Sequence, residues 1–238
     1  MEQFTAIGKY FDYLLSLRDI TMSWFIETCR SSLGKKYIMA LTGLLLGGFL
    51  LIHAAGNSSI FWGRAAFIAY AGHLHSLGIL VNIFEVALAT VFLLHVATGL
   101  ILFLENRGAR TSRYQVSRSA GGRTWASRSM PYTGLAILAF VLLHLANFHF
   151  TDHDLPIADI VSPILSNPLY TLLYSIGMAA LALHTSHGFW SLFQSLGISH
   201  PRYDRPIRIL ALGVCAAIVG VFAAILLLLL VAGGYLQA

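Results

Sequence analysis

The stretch ILVNIFEVALATVFLLHVATGLILFL, residues 79–104, contains one carboxylate, Glu85, one imidazole, His95, and no lysine or arginine. About 20 apolar residues suffice for a helix to cross the hydrocarbon of a bilayer. Inside lipid a backbone must satisfy its own hydrogen bonds, which leaves helices and closed barrels as the spanning structures. The stretch therefore reads as a transmembrane helix. The rest of the chain agrees: 57% of its residues are hydrophobic and 11% charged, and mean hydropathy is +0.74, where soluble domains carry about 25% charged residues.

Working outward, four more apolar runs are long enough to span, giving five in all: Tyr37 to Gly56, Ile79 to Leu104, Pro131 to Phe150, Pro168 to Ile198 and Ile209 to Leu236. Turn chemistry or charge separates them: GNSS, ENRG, DHDLP and SHPRYDRP. Beyond the leucine run at 226–230, no repeat or low-complexity tract stands out. The first thirty residues mix Lys9, Asp12, Arg18, Asp19, Glu27 and Arg30 with apolar residues, which does not read as a secretory leader. Residues 1–32 are expected to form an amphipathic lead-in at the membrane surface, and 33–238 the five-helix membrane domain. Cys29 and Cys215 lie far apart and suggest neither a disulfide framework nor covalent haem attachment.

Orientation follows from the basic residues. Fourteen of the fifteen lysines and arginines fall in the N-terminal segment, the second loop and the fourth loop, and Arg64 stands alone in the first loop. The third loop has Asp152, Asp154 and Asp159 and no basic residue. The expected fold is an all-α integral membrane protein with its N-terminus in the cytoplasm, in the inner (cytoplasmic) membrane of a cell. The net charge of +5 reflects that topology, and nothing supports nucleic-acid binding.

Four spans carry histidines within the apolar run: LIHAAG gives His53, LLHVATG His95, LLHLANF His144, and ALHTSHG both His184 and His187. Counted from the start of each span, His53, His95 and His184 lie sixteen residues in and His144 thirteen, or roughly 20–24 Å along at 1.5 Å per residue. Successive spans run in opposite directions, so this recurrent depth becomes two levels. His53 and His144 fall in the outer half, and His95 and His184 in the inner half. Imidazoles paired across a helix bundle are what bis-histidine haem iron requires, and Gly47, Gly48, Gly99 and Gly188 leave room for a flat macrocycle. Taken singly, each histidine also suits a packed, hydrogen-bonded core residue. Zinc uses the same ligand type, and a metal transporter is a second reading, but a tetrahedral site needs ligands converging at one depth.

With these residues in view, the chain resembles, over about residues 33–235, the single-polypeptide cytochrome b membrane anchor of succinate:menaquinone oxidoreductases and fumarate reductases, the five-helix, two-haem type. The most specific part is the fourth-span pattern His184, Thr185, Ser186, His187, Gly188, Phe189, Trp190, followed by WSLFQSLGI. LIHAAGN and LLHVATG are similar to family members in order and spacing. The resemblance implies His184 as the ligand and His187 at a variable position. It implies two b-type haems, a proximal one on His95 and His184 and a distal one on His53 and His144, with the first four helices forming the haem bundle. It also implies menaquinone as substrate, and a complex with a flavoprotein that carries FAD and an iron–sulfur protein that carries the clusters. A higher oligomer of that complex is a further expectation. This chain would be the non-catalytic anchor and quinone-reactive subunit, since it has no dinucleotide fingerprint and no cysteine cluster.

Quinone chemistry needs titratable groups near a haem and within reach of water. Glu85 is the only carboxylate deep in a span, Glu105 being at a boundary, and His73 and His75 in AGHLHSLG enrich the outer rim. These three form the candidate quinone site, with Tyr70, His149, Asp152 and His153 nearby in the sequence pattern. Arg30, Lys36, Arg113 and Arg128 are the candidates for haem propionates. Some family members carry a glutamate two residues before the fourth-helix ligand as part of a proton route, and here that place is Ala182, so that route is not expected. A diheme cytochrome b subunit of a hydrogenase or formate dehydrogenase is the alternative within redox chemistry.

Overall fold

The computed structural model describes residues 23–108, 125–151, 154–198, 200–232 and 234–236. Most of the lead-in and of the arginine-rich second loop, including Arg113, lies outside these residues, as do Asp152 and His153. Residues 23–30 are helical, and after them come α1 Ser32–Asn57, α2 Arg64–His75, α3 Ile79–Gly108, α4 Trp125–Phe148, α5 Ile157–Leu165, α6 Pro168–Ser195 and α7 Pro201–Val231. Five of them, α1, α3, α4, α6 and α7, are long and apolar enough to cross a membrane. The protein is a multi-pass, all-helical membrane protein.

The helices outrun the apolar stretches that reveal them. α1 starts at Ser32 rather than Tyr37, where the Ser31 hydroxyl accepts the Gly34 amide at 3.0 Å. α7 starts at Pro201 rather than Ile209, with His200 Nδ1 accepting from the Arg202 amide at 3.1 Å. Proline suits a first helical position because its φ is already helical and its missing N–H would have no partner there. α4 begins at Trp125 and runs through Pro131, the expected start. In each case the added turns are charged or polar, and continuing the helix through them keeps the backbone hydrogen-bonded. α7 stops at Val231 rather than Leu236, and residues 234–236 form a turn that buries Leu236 completely.

α1 packs along α3 and α6, α6 also along α4 and α7, while α3 and α4 touch only slightly. The four helices α1, α3, α4 and α6 thus form a ring in which α1 lies diagonal to α4, and α3 to α6. α7 lines the outside of α6. The end of the bundle where α1 begins is the near end, and the opposite one is the far end. The near end is tied by an ion pair between Lys35 and Glu105 and by Arg208 lying 4.6 Å from the Trp190 ring.

Two stretches that read as connections are folded caps on the far end. A 3₁₀ turn, Ser58–Trp62, leads through Gly63 at φ +95° into α2, a left-handed backbone that favours glycine. α5 is a short amphipathic helix whose Ala158, Ile160, Val161 and Leu165 are buried. Of these, Ala158, Val161 and Leu165 join Ile60, Phe67, Tyr174, Leu181, Ile225 and Leu229 in the buried apolar cluster of the described residues. Arg64, the lone basic residue of the first loop, holds this cap together. Its guanidinium donates to both Asp159 carboxylate oxygens, at 2.6 and 2.9 Å, and to the Leu236 carbonyl at 2.7 Å. Asp159 is held below the ordinary carboxylate range by the hydrogen bond from Arg64, and Arg64 is raised above its own ordinary value by the same bond.

Candidate functional site

The helix directions bring the four single-span histidines together in two pairs. At the far end His53 of α1 and His144 of α4 face each other with ring centroids 5.9 Å apart and planes at 83°. Nearer the middle, His95 of α3 and His184 of α6 face each other at 6.3 Å and 70°. Each pair joins diagonal helices, so its axis crosses the interior of the ring. His187, one turn beyond His184, is half-buried and outside the pair. Among the described residues no three His, Cys, Asp or Glu side chains gather as a metal-ion set; the histidines stand as two couples.

Two couples of this spacing suit a metal held between them. A metal–imidazole bond of about 2 Å on each side, plus the ring radii, puts two axial imidazole centroids roughly 6 Å apart. The hydrogen bonds of the mid-level pair are also of the right kind. His95 Nδ1 lies 3.0 Å from the Thr42 hydroxyl, and His184 Nδ1 lies 3.2 Å from the Thr133 hydroxyl. With Nδ1 engaged, Nε2 is the nitrogen available to a metal, the usual division of labour in a ligating histidine.

The far pair is set in aromatic rings instead. Phe49 stacks on His53 at 5.2 Å and Phe222 approaches it at 5.6 Å. Phe148, Phe140 and Tyr174 surround His144 at 5.1, 6.0 and 6.2 Å. Asn147 Nδ2 donates to the Tyr174 hydroxyl at 3.1 Å. The packing is close where glycine permits it. A Cβ added at Gly177 would stand 2.4 Å from the Phe140 ring, and one at Gly47 2.4 Å from the Phe189 ring.

Compared with known proteins, the chain matches no family model, no curated protein and no solved structure. The geometry of the chain itself therefore carries the functional reading.

The three candidate quinone residues are not gathered into one cluster. Glu85, in the second turn of α3, is half-exposed, and its Oε1 lies 4.0 Å from His149 Nδ1, just past the end of α4. His73 and His75 are exposed in the last turn of α2, and His75 Nδ1 is within 2.9 Å of its own helix's Ala71 carbonyl. His75 also lines a shallow cavity of about 180 Å³ between α2 and α5, with Ile68, Gly72, Leu155, Pro156 and Ile160. A larger one, about 410 Å³, lies between the end of α1, the 3₁₀ turn and α2, against Tyr70 and Trp62. Of the propionate candidates, Arg30, Lys36 and Arg128 are exposed at the near end. Cys215 is buried and accepts from the Thr185 hydroxyl at 3.2 Å, tying α6 to α7.

Sequence reasoning missed Thr42 and Thr133. A signal was present: Thr42-Gly43-Leu44 recurs as Thr133-Gly134-Leu135, and a histidine follows each threonine by eleven residues, at His53 and His144. Eleven residues are close to three helical turns, so threonine and histidine share a face, about 16 Å apart along the axis.

Proposed function

We propose that this chain is the cytochrome b membrane anchor of a succinate:menaquinone oxidoreductase or fumarate reductase, holding two b-type haems between a cytoplasmic iron–sulfur subunit and a menaquinone site. The observation that carries the reading is the meeting of four histidines from four helices as two couples, 5.9 and 6.3 Å between centroids. His95 and His184 would hold the haem nearer the partner subunits, and His53 and His144 the distal one. When bound, the two haems supply a one-electron relay across the membrane.

The protein's own part is to bind, orient and insulate. Diagonal helices present the imidazoles toward each other, and Thr42 and Thr133 orient the proximal pair. Phe49, Phe140, Phe148 and Phe222 shield the far pair. Fourteen of the fifteen basic residues fall in the N-terminal segment and the second and fourth loops of the sequence, a pattern that supports a cytoplasmic N-terminus and near end. Glu85 and His149 lie 4.0 Å apart toward the far end, and in this reading a proton exchanged with quinone would be held at Glu85 Oε1 or His149 Nδ1. His73 and His75 belong to the α2 cap near that rim.

The test is to purify the tagged chain from its own membranes under mild detergent and identify what comes with it. A haem-containing complex with a succinate-oxidising flavoprotein and an iron–sulfur protein is the expected result. Hydrogenase or formate dehydrogenase subunits, or a protein without haem, would refute it.

A further inference from the structure

We propose that Thr42 and Thr133 are paired positioning residues that make the two haem levels chemically unequal: each hydroxyl accepts the Nδ1 proton of a mid-level histidine, and among the described residues no equivalent acceptor serves the far level. This rests on the reading of the four histidines as haem ligands.

The direction of each bond follows from proton counting. A threonine hydroxyl has one proton to give and lone pairs to receive. The Thr42 hydroxyl lies 2.7 Å from the Ile38 carbonyl of its own helix, and that of Thr133 lies 3.1 Å from the Ser129 carbonyl. With the proton committed to the backbone, the oxygen faces the ring as an acceptor. Nδ1 therefore carries the hydrogen, and the Nε2 lone pair is free for iron. Both threonines are buried, at 7% exposure, so water does not compete. Each is followed by a glycine beside the same ring. A Cβ at Gly43 would be 3.4 Å from His95 Cε1, and one at Gly134 3.5 Å from His184 Cε1.

The far level lacks this device. His53 Nδ1 lies 3.4 Å from the Asn57 amide nitrogen, which also donates to the His53 carbonyl at 2.8 Å; an amide nitrogen donates and cannot accept the Nδ1 proton. His144 Nδ1 is buried with no hydrogen-bond partner among the described residues. Each repeat of Thr-Gly-Leu and histidine thus supplies one acceptor to the mid level and one ligand to the far level. An acceptor on Nδ1–H makes Nε2 a stronger donor, which favours oxidised, more positive iron.

Potentiometric titration of the purified complex, followed by visible and low-temperature EPR spectra, tests this on T42V, T133V, the double T42V/T133V variant, and the T42S and T133S controls. In the double variant the reduction equilibrium of one haem shifts about tenfold toward the reduced form, about 59 mV for one electron. The other haem keeps its midpoint and spectrum, and the serine variants, which retain the acceptor, stay near wild type. Loss of one haem in the valine variants with retention in the serine variants also supports the assignment. Unchanged midpoints at full haem content, equal shifts of both haems, or serine variants that behave like valine ones would overturn it. A wild-type complex without haem would instead sink the reading beneath it.

Discussion

His95 of α3 and His184 of α6 face each other across the middle of the bundle at 6.3 Å, although 89 positions separate them in the chain. They meet because two descending helices occupy opposite corners of the ring. The ascending pair, His53 and His144, repeats the arrangement toward the far end at 5.9 Å.

Replacing one member of a couple disables that couple alone. H95A and H184A are each expected to lower the haem-to-polypeptide ratio from about two to about one, and H95A/H184A to fall no further. H53A and H144A behave in the same way for the other haem. Pyridine haemochrome assay against protein concentration reads the ratio. A single substitution that leaves two haems contradicts the ligand set, and H187A is expected to leave both.

E85Q removes the carboxylate beside His149 while keeping its shape. Quinone-linked turnover is expected to fall about tenfold or more, within the range for loss of a general acid or base. Dye-linked succinate oxidation and both haem spectra stay unchanged. Full quinone turnover in E85Q would remove Glu85 from the proton route.

The helix positions were legible because hydrocarbon demands long apolar runs, and the depth of the histidines because antiparallel helices invert a repeated height. The ends were not. Lys35 and Lys36 in α1, and Asp204 and Arg205 in α7, read as loop, yet the helix continues through them because it keeps the backbone hydrogen-bonded. α2 and α5 are too short to declare themselves and are stabilised by one another, by Leu229 and by Leu236. Thr42 and Thr133 look like span filler, since their partners lie 53 and 51 positions away. Glu85 pointed to titratable company, but which neighbour it meets depended on where α4 ends.

G177A is an overpacking test. The added methyl falls 2.4 Å from Phe140, whose ring touches His144. Strain of about 1–3 kcal/mol is expected from such an insertion. It is directed at the far level, so haem on His53 and His144 is lost on heating before haem on His95 and His184. Simultaneous loss of both on a spectroscopic melt would show that Phe140 does not transmit it.

The Arg64–Asp159 clasp gives a pH dependence of definite sign. Because the Asp159 pKa is depressed on folding, its contribution is present above the ordinary carboxylate value and is lost as pH falls through the lower folded value. Arg64, raised, stays charged throughout. D159N is therefore expected to melt below wild type near neutral pH, with the gap closing in acid, as read by a thermal melt at several pH values. A gap independent of pH would exclude the ion pair as its cause.

The most direct measurement is the haem content and axial ligation of the purified wild-type protein, by haemochrome assay and EPR. Two low-spin, bis-histidine b haems per chain are expected. A colourless preparation, or a single haem that survives loss of either couple, would contradict the assignment of the four histidines.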